Sequence, residues 1–143
     1  MMIRALSAAV VLTAAPALAQ DIPDMKGIWV STENIALVRG SGTHFTDPDA
    51  DLQMIRSTSQ DFTITIEKQD GRAFWGKIVS PADEEEIGVI LEPDLEHFVG
   101  IDSDGYFRGR LTGPGTLELC YQHVGAGRPV AIVACSSYEK RDE

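Results

Sequence analysis

The side chains able to do covalent or metal chemistry in this chain are Cys120 and Cys135, His44, His97 and His123, and the serine pair Ser136-Ser137. The cysteines lack the C-x-x-C spacing and histidine partners of a redox or zinc site. The serines have no glycines set for a nucleophile elbow. His97 follows Glu96, but no second histidine stands at helical spacing, so zinc-protease geometry is absent. Asp47, Asp49 and Asp51 alternate like the first ligands of a calcium loop, yet Leu52 and Thr58 occupy the places that need Gly and Glu. Asp102 with Asp104-Gly105 fails the same test at Gly113 and reads better as a tight hairpin. Tyr106, Arg108 and Arg110 share one face of a strand. On a lumen they would form an anion pocket, but two desolvated guanidinium groups without partners are costly, so the outer face is expected. No catalytic residue, metal or cofactor is expected.

What remains for the cysteines is a bond to each other. Pairing Leu119 with Ser136 and Tyr121 with Ala134 around a turn at 125–129 sets Cys120 opposite Cys135 on neighbouring antiparallel strands, both on the outer face. Closing a ring of about fifteen residues contributes on the order of 3 kcal/mol in the chain-entropy account.

The elements that position these residues are strands. Runs rich in β-branched and aromatic residues recur near 27–31, 35–39, 61–68, 72–80, 86–92, 96–102, 105–112, 115–123 and 129–139, separated by Gly, Pro and Asp. Phe62, Ile64 and Ile66 alternate with Thr63, Thr65 and Glu67, giving one buried and one wet face. Asp70-Gly71, Asp104-Gly105 and Gly113-Pro114-Gly115 carry the chemistry of tight turns. The fold class expected is all-β: an antiparallel up-and-down meander of about eight strands closing into a small barrel. The segment 40–60 interrupts it. Asp47 as cap, Pro48 at the first helical position and Leu52 and Ile55 on one face predict a short helix over 48–57. That helix would act as a lid over a barrel end or as a plug through Leu52, Met54 and Ile55.

The N-terminus is an address. Arg4 precedes an apolar run of roughly eleven residues, too short to stay in a bilayer, and Pro16-Ala17-Leu18-Ala19 follows in a cleavage pattern. The domains expected are a signal peptide over 1–19, cut near Ala19, and one β-barrel over 20–143. The mature chain would reside in the periplasm or be secreted, without stable membrane insertion, where a disulfide persists. The formal charge of -10 excludes nucleic acid and anionic lipid heads as partners.

Gly27-Ile28-Trp29 at the opening of the first strand, the meander and the terminal Lys140-Arg141 resemble the calycin barrels, the lipocalins and avidins. The resemblance implies Trp29 at the barrel floor with Arg141, or Lys140, laid over it. Avidins wall in biotin with later tryptophans, whereas only Trp75 follows here, so biotin is not implied. The length and strand spacing also resemble small secreted barrels that inhibit bacterial metalloproteases, although those carry an early disulfide. The stretch from Phe62 to Tyr138 is similar to exported bacterial proteins.

Two functions are expected as alternatives. In the first, a small apolar or amphipathic ligand would sit in a lumen lined by Phe62, Ile64, Phe74, Phe98 and Tyr121; a barrel packed solid would remove that reading. In the second, the protein is an interaction module or inhibitor acting on an envelope or secreted protein, with 21–25 as a candidate free arm. That reading needs an exposed apolar patch larger than an ordinary monomer shows.

Overall fold

The computed structural model describes residues 21–40, 51–124 and 131–141. They form nine strands: β1 (Gly27–Arg39), β2 (Gln53–Ser57), β3 (Thr63–Asp70), β4 (Ala73–Val79), β5 (Glu84–Leu91), β6 (His97–Ile101), β7 (Tyr106–Gly113), β8 (Thr116–Val124) and β9 (Ala131–Lys140). β1 pairs with β3, each strand from β3 onward pairs antiparallel with the next, and β9 returns to β1. Eight strands thus close a barrel, the architecture of the calycin-like expectation. β2 lies outside the closed ring.

The expected helix over 48–57 is not formed. Gln53–Ser57 is strand β2, paired with Asn34–Val38 of β1; residues 48–50, with Asp47, lie outside the described residues. The reason is backbone accounting. β1 runs thirteen residues, but β3 pairs only with Gly27 to Val30. The amides and carbonyls of the second half of β1 need another partner on that side, and a returning strand supplies it where a helix cannot.

The change of neighbour falls at a bulge between Ser31 and Glu33. Ser31, fully buried, donates its amide to the Phe62 carbonyl at 2.9 Å, and its Oγ accepts from the Phe62 amide at 3.0 Å. Asn34 Nδ2 donates to the Ser59 carbonyl at 3.3 Å. These polar residues tie the joint where β1 leaves β3 for β2, so the two short strands expected at 27–31 and 35–39 are one.

The hairpins form at the expected places. Gly71 takes φ 56 after Asp70, and Gly115 takes φ 73 in the β7–β8 turn. In the β6–β7 turn Asp102 Oδ1 accepts from the amides of Asp104 at 3.2 Å and Gly105 at 2.7 Å. The expected register of β8 and β9 holds: Leu119 faces Ser136, Tyr121 faces Ala134, and Cys120 is bonded to Cys135 with their Cα atoms 4.0 Å apart.

The core is the barrel interior. It runs from Met25 and Trp29 at one end through Ile64, Ile66, Phe74, Ile87, Val89, Leu91, Phe98, Phe107, Leu117 and Leu119 to Tyr138. Two phenylalanines fill the middle by crossing over glycines. Phe98 faces Gly109 and Phe107 faces Gly100 across the β6–β7 pair, and a Cβ on either glycine would stand 2.3 Å from the opposing ring. A barrel of eight strands is just wide enough for side chains to fill it, and here they do.

Candidate functional site

The lumen does not gather the five expected ligand-binding residues into one chamber. Phe62, Ile64 and Tyr121 line a cavity of about 50 Å3 toward the end of the barrel near the β6–β7 turn, with Ile78, Ile132 and Tyr138. Phe74 and Phe98, again with Ile64, line a separate void of about 20 Å3 nearer Trp29. Sites for small molecules run to about 300–1,000 Å3. The first cavity has room for a water or two.

Polar groups crowd that end. Tyr121 donates to Asp104 Oδ1 at 2.6 Å, and His123 Nδ1 stands 3.0 Å from the same oxygen. Burial, then the bond to Asp104, pushes the Tyr121 phenol above its ordinary range. Burial does the same to Tyr138, partly offset by its hydrogen bond with Ser136. Glu85, Asp102 and Asp104 each bring an oxygen within 4.8 Å of the others, the spacing of a possible cation site. Yet Glu85 accepts from Ser103, while Asp102 and Asp104 hold turn amides, Tyr121 and His123. The chemistry these bonds account for is the fixing of the β6–β7 turn against β8.

His97 and His123 are not brought together. His123 is buried at this end of the barrel. His97 is the exposed first residue of β6, its Nδ1 2.8 Å from Asp94 Oδ2 in the β5–β6 turn. His44 and Asp49 lie outside the described residues, as do 1–19, expected as a signal peptide, and 125–129, expected as a turn.

At the opposite end the Trp29 indole donates to the Met25 carbonyl at 2.9 Å, and Lys140 Nζ stands 5.5 Å from the ring. Lys140 is thus the residue over Trp29. Arg141 turns away and donates to Gln60 Oε1 at 2.6 Å. The segment expected as a free arm is anchored here. Met25 is 2% exposed, its amide donates to Gln69 Oε1 at 2.8 Å, and Gln69 donates to the Pro23 carbonyl at 2.9 Å.

Large apolar side chains are exposed outside the barrel in two places, along β2, β1 and β9, where Leu37 stands between Met54 and Val133, and across β4–β7. On the outer face of β4–β7, Trp75 faces Gly88, Gly88 faces Ile101, and Ile101 faces Tyr106. In the next row Ala73 faces Ile90, Ile90 faces Val99, and Val99 faces Arg108. Trp75 is 42% exposed, Ile90 52%, Val99 42%, Ile101 63% and Tyr106 51%. Tyr106, Arg108 and Arg110 point outward as expected, with Tyr106 donating to Gln122 at 2.8 Å and Arg110 paired to Glu118 at 3.1 Å.

Beyond this patch, toward the β4–β5 turn, the surface turns acidic. Glu67, Asp83, Glu84 and Glu86 are exposed there beside Lys68 and Lys77. Lys77 Nζ reaches Glu84 at 2.6 Å, and that hydrogen bond, followed by the charges of Glu84, Glu67 and Glu86, holds the ammonium above its ordinary value.

Comparison of the chain with family models, curated proteins and solved structures gives no significant match.

Proposed function

We propose that this calycin-like chain is an exported protein-interaction module and that its docking face is the outer surface of β4–β7. One observation carries the reading: five large apolar side chains, Trp75, Ile90, Val99, Ile101 and Tyr106, stand exposed in two adjoining cross-strand rows. Together they expose on the order of 400–500 Å2, within the range of an ordinary monomer's largest patch and not beyond it as expected above; patches of that size are often functional. Trp and Tyr are the side chains enriched where partners anchor. The Cys120–Cys135 bond is compatible with an oxidising compartment, and the N-terminal sequence supports export to one.

A photo-crosslinking residue at position 101, introduced in cells that export the protein, tests the reading; position 118 on the polar outer face of β8 is the control. A discrete adduct of fixed mass is expected from position 101, not from 118, and it is expected to vanish in a Trp75→Ala background. Equal labelling from both positions, or none from 101, refutes the docking face.

The apolar lining given by Phe62, Ile78 and Tyr121 favours a second reading, a small apolar ligand at the barrel end. With about 50 Å3 available, that ligand requires the end to open. Native mass spectrometry of protein from its own envelope is expected to show no retained small molecule; a stoichiometric one would favour the second reading over the first.

A further inference from the structure

Carboxylates crowd the β4–β5 side of the docking face, while the exposed Arg108 stands at its β7 side beyond Val99; selection of a partner by the carboxylates rests on the face being an interface at all. Gly88 lies in the first apolar row, between Trp75 and Ile101, beside Ile90 of the second. A Cβ there would touch nothing within 4 Å, so the sheet is hollowed, with Trp75 on the β4 side and Ile101 on the β6 side. Lys68 stands opposite Trp75 on β3, on the side of the indole away from the hollow. Two residues along β5 on the same face, Glu86 faces Lys77, and Glu84 closes on Lys77. Glu67 and Asp83 complete the exposed acidic side of this rim.

We propose that the hollow over Gly88 binds a cationic, partly apolar extended segment of a partner protein. A lysine or arginine of that segment lies against the Trp75 indole, where the ring face attracts a cation, and its head group points to Glu67 and Glu86. Apolar neighbours of the segment, spaced two apart as in any extended chain, cover Ile101 and Ile90. The carboxylate rim raises the rate of encounter with such a segment and repels anionic ones. A second copy of a chain with formal charge -10 carries the wrong sign for this rim.

The test uses the mature full chain and three synthetic peptides of alternating pattern, Lys/Leu, Ser/Leu and Glu/Leu. Backbone amide NMR shifts locate binding, and sedimentation records the oligomeric state. The Lys/Leu peptide is expected to shift the amides around Trp75, Gly88 and Ile101 saturably and to bind at least about tenfold more tightly than the Glu/Leu peptide. Joint Glu67→Gln and Glu86→Gln substitution is expected to remove most of that preference. Gly88→Arg, whose Cβ would meet no atom within 4 Å, fills the hollow and is expected to abolish binding with the thermal midpoint retained. Docking of the neutral or anionic peptide at the same residues with equal affinity overturns the cationic assignment and leaves the docking face standing. A concentration-dependent dimer through this face overturns it too. If no peptide shifts the face, the assignment falls, and the crosslink at position 101 decides separately whether the docking face falls with it.

Discussion

Gly88 and Gly100 stand on neighbouring strands, one facing out and one facing in, and adding the same methyl to each should move stability in opposite directions. At Gly88 the new Cβ meets open space, and no left-handed backbone angle is required. Replacing a strand glycine by alanine there removes unfolded-state freedom and is expected to stabilise by about 0.5–1 kcal/mol. At Gly100 the new Cβ lies 2.3 Å from two atoms of the Phe107 ring and 3.0 Å from the Gly88 carbonyl oxygen. Phe107 is 6% exposed and sits in the main core cluster, so the ring can shift only into the voids of about 50 and 20 Å3 that it lines. Overpacking of this kind costs about 1–3 kcal/mol. The gap between the two alanine variants is therefore roughly 1.5–4 kcal/mol. Urea unfolding followed by circular dichroism reads it as a midpoint difference on the order of 1–2 M with an unchanged slope. Adding Phe107→Leu to Gly100→Ala should recover part of the loss, because the two changes share one contact. A neutral Gly100→Ala, or a Gly88→Ala as damaging as it, would refute the argument. A one-residue slip in the β5–β6 register exchanges the two faces and with them the two outcomes.

Single contacts set the other outcomes. Reducing Cys120–Cys135, or replacing both cysteines by serine, opens a ring whose ends are 15 residues apart and should cost about 3 kcal/mol, read as a lower urea midpoint under reducing conditions. Asp94 is pushed down to about 2, first by the His97 amide, then by the His97 ring and the Glu96 amide, while hydrogen bonding to Asp94 raises His97. The carboxylate contribution is therefore present above the ordinary aspartate range and lost as pH falls through about 2. The histidine contribution is present at low pH and lost as pH rises through its elevated midpoint. An NMR titration should show the His97 midpoint dropping to the ordinary imidazole range in Asp94→Asn. Tyr121→Phe removes the donor to Asp104 Oδ1 and should cost about 1–2 kcal/mol in urea unfolding, with the His123 ring resonances shifting as their shared carboxylate partner is freed.

Much of the barrel is legible in the sequence because its signals are local. Asp70-Gly71 and the β8–β9 register around Cys120 need only turn chemistry and period-two alternation, and both stand in the fold. The failures come where a distant partner decides. Leu52 and Ile55 fit a helix by spacing, but the open side of β1 beyond Val30 turns 53–57 into a strand. Thr32 to Asn34 look like a break between two strands, yet one strand runs through them, with Asn34 and the neighbouring Ser31 buried and hydrogen-bonded there. The proposed docking face is harder still. Trp75, Ile101 and Tyr106 become neighbours only through the registers of three successive hairpins, which no single segment encodes. The sequence nevertheless carries a signal of it. Ile87 to Leu91 and Phe98 to Ile101 are apolar without the alternation seen in β3, and in a barrel with one wet face that means apolar side chains on the outside.

The filling of the lumen and the exposure of the outer patch are connected. Phe98 over Gly109 and Phe107 over Gly100 lock β6 and β7 in one register from inside, and Val99 and Ile101 project outward from the same strand on the opposite face. A partner docking on them, as proposed, would meet a surface whose backbone is already fixed by packing, so little conformational entropy would be lost on binding. A hollow barrel could breathe to admit a ligand, at the expense of that rigidity. Loosening the interior by Phe107→Ala would leave every docking side chain in place. It is therefore expected to weaken peptide binding at Gly88 along with stability, whereas Leu111→Ala, at the far end of β7, lowers stability and leaves binding unchanged. Equal binding by both variants would show that the face does not depend on the packing beneath it.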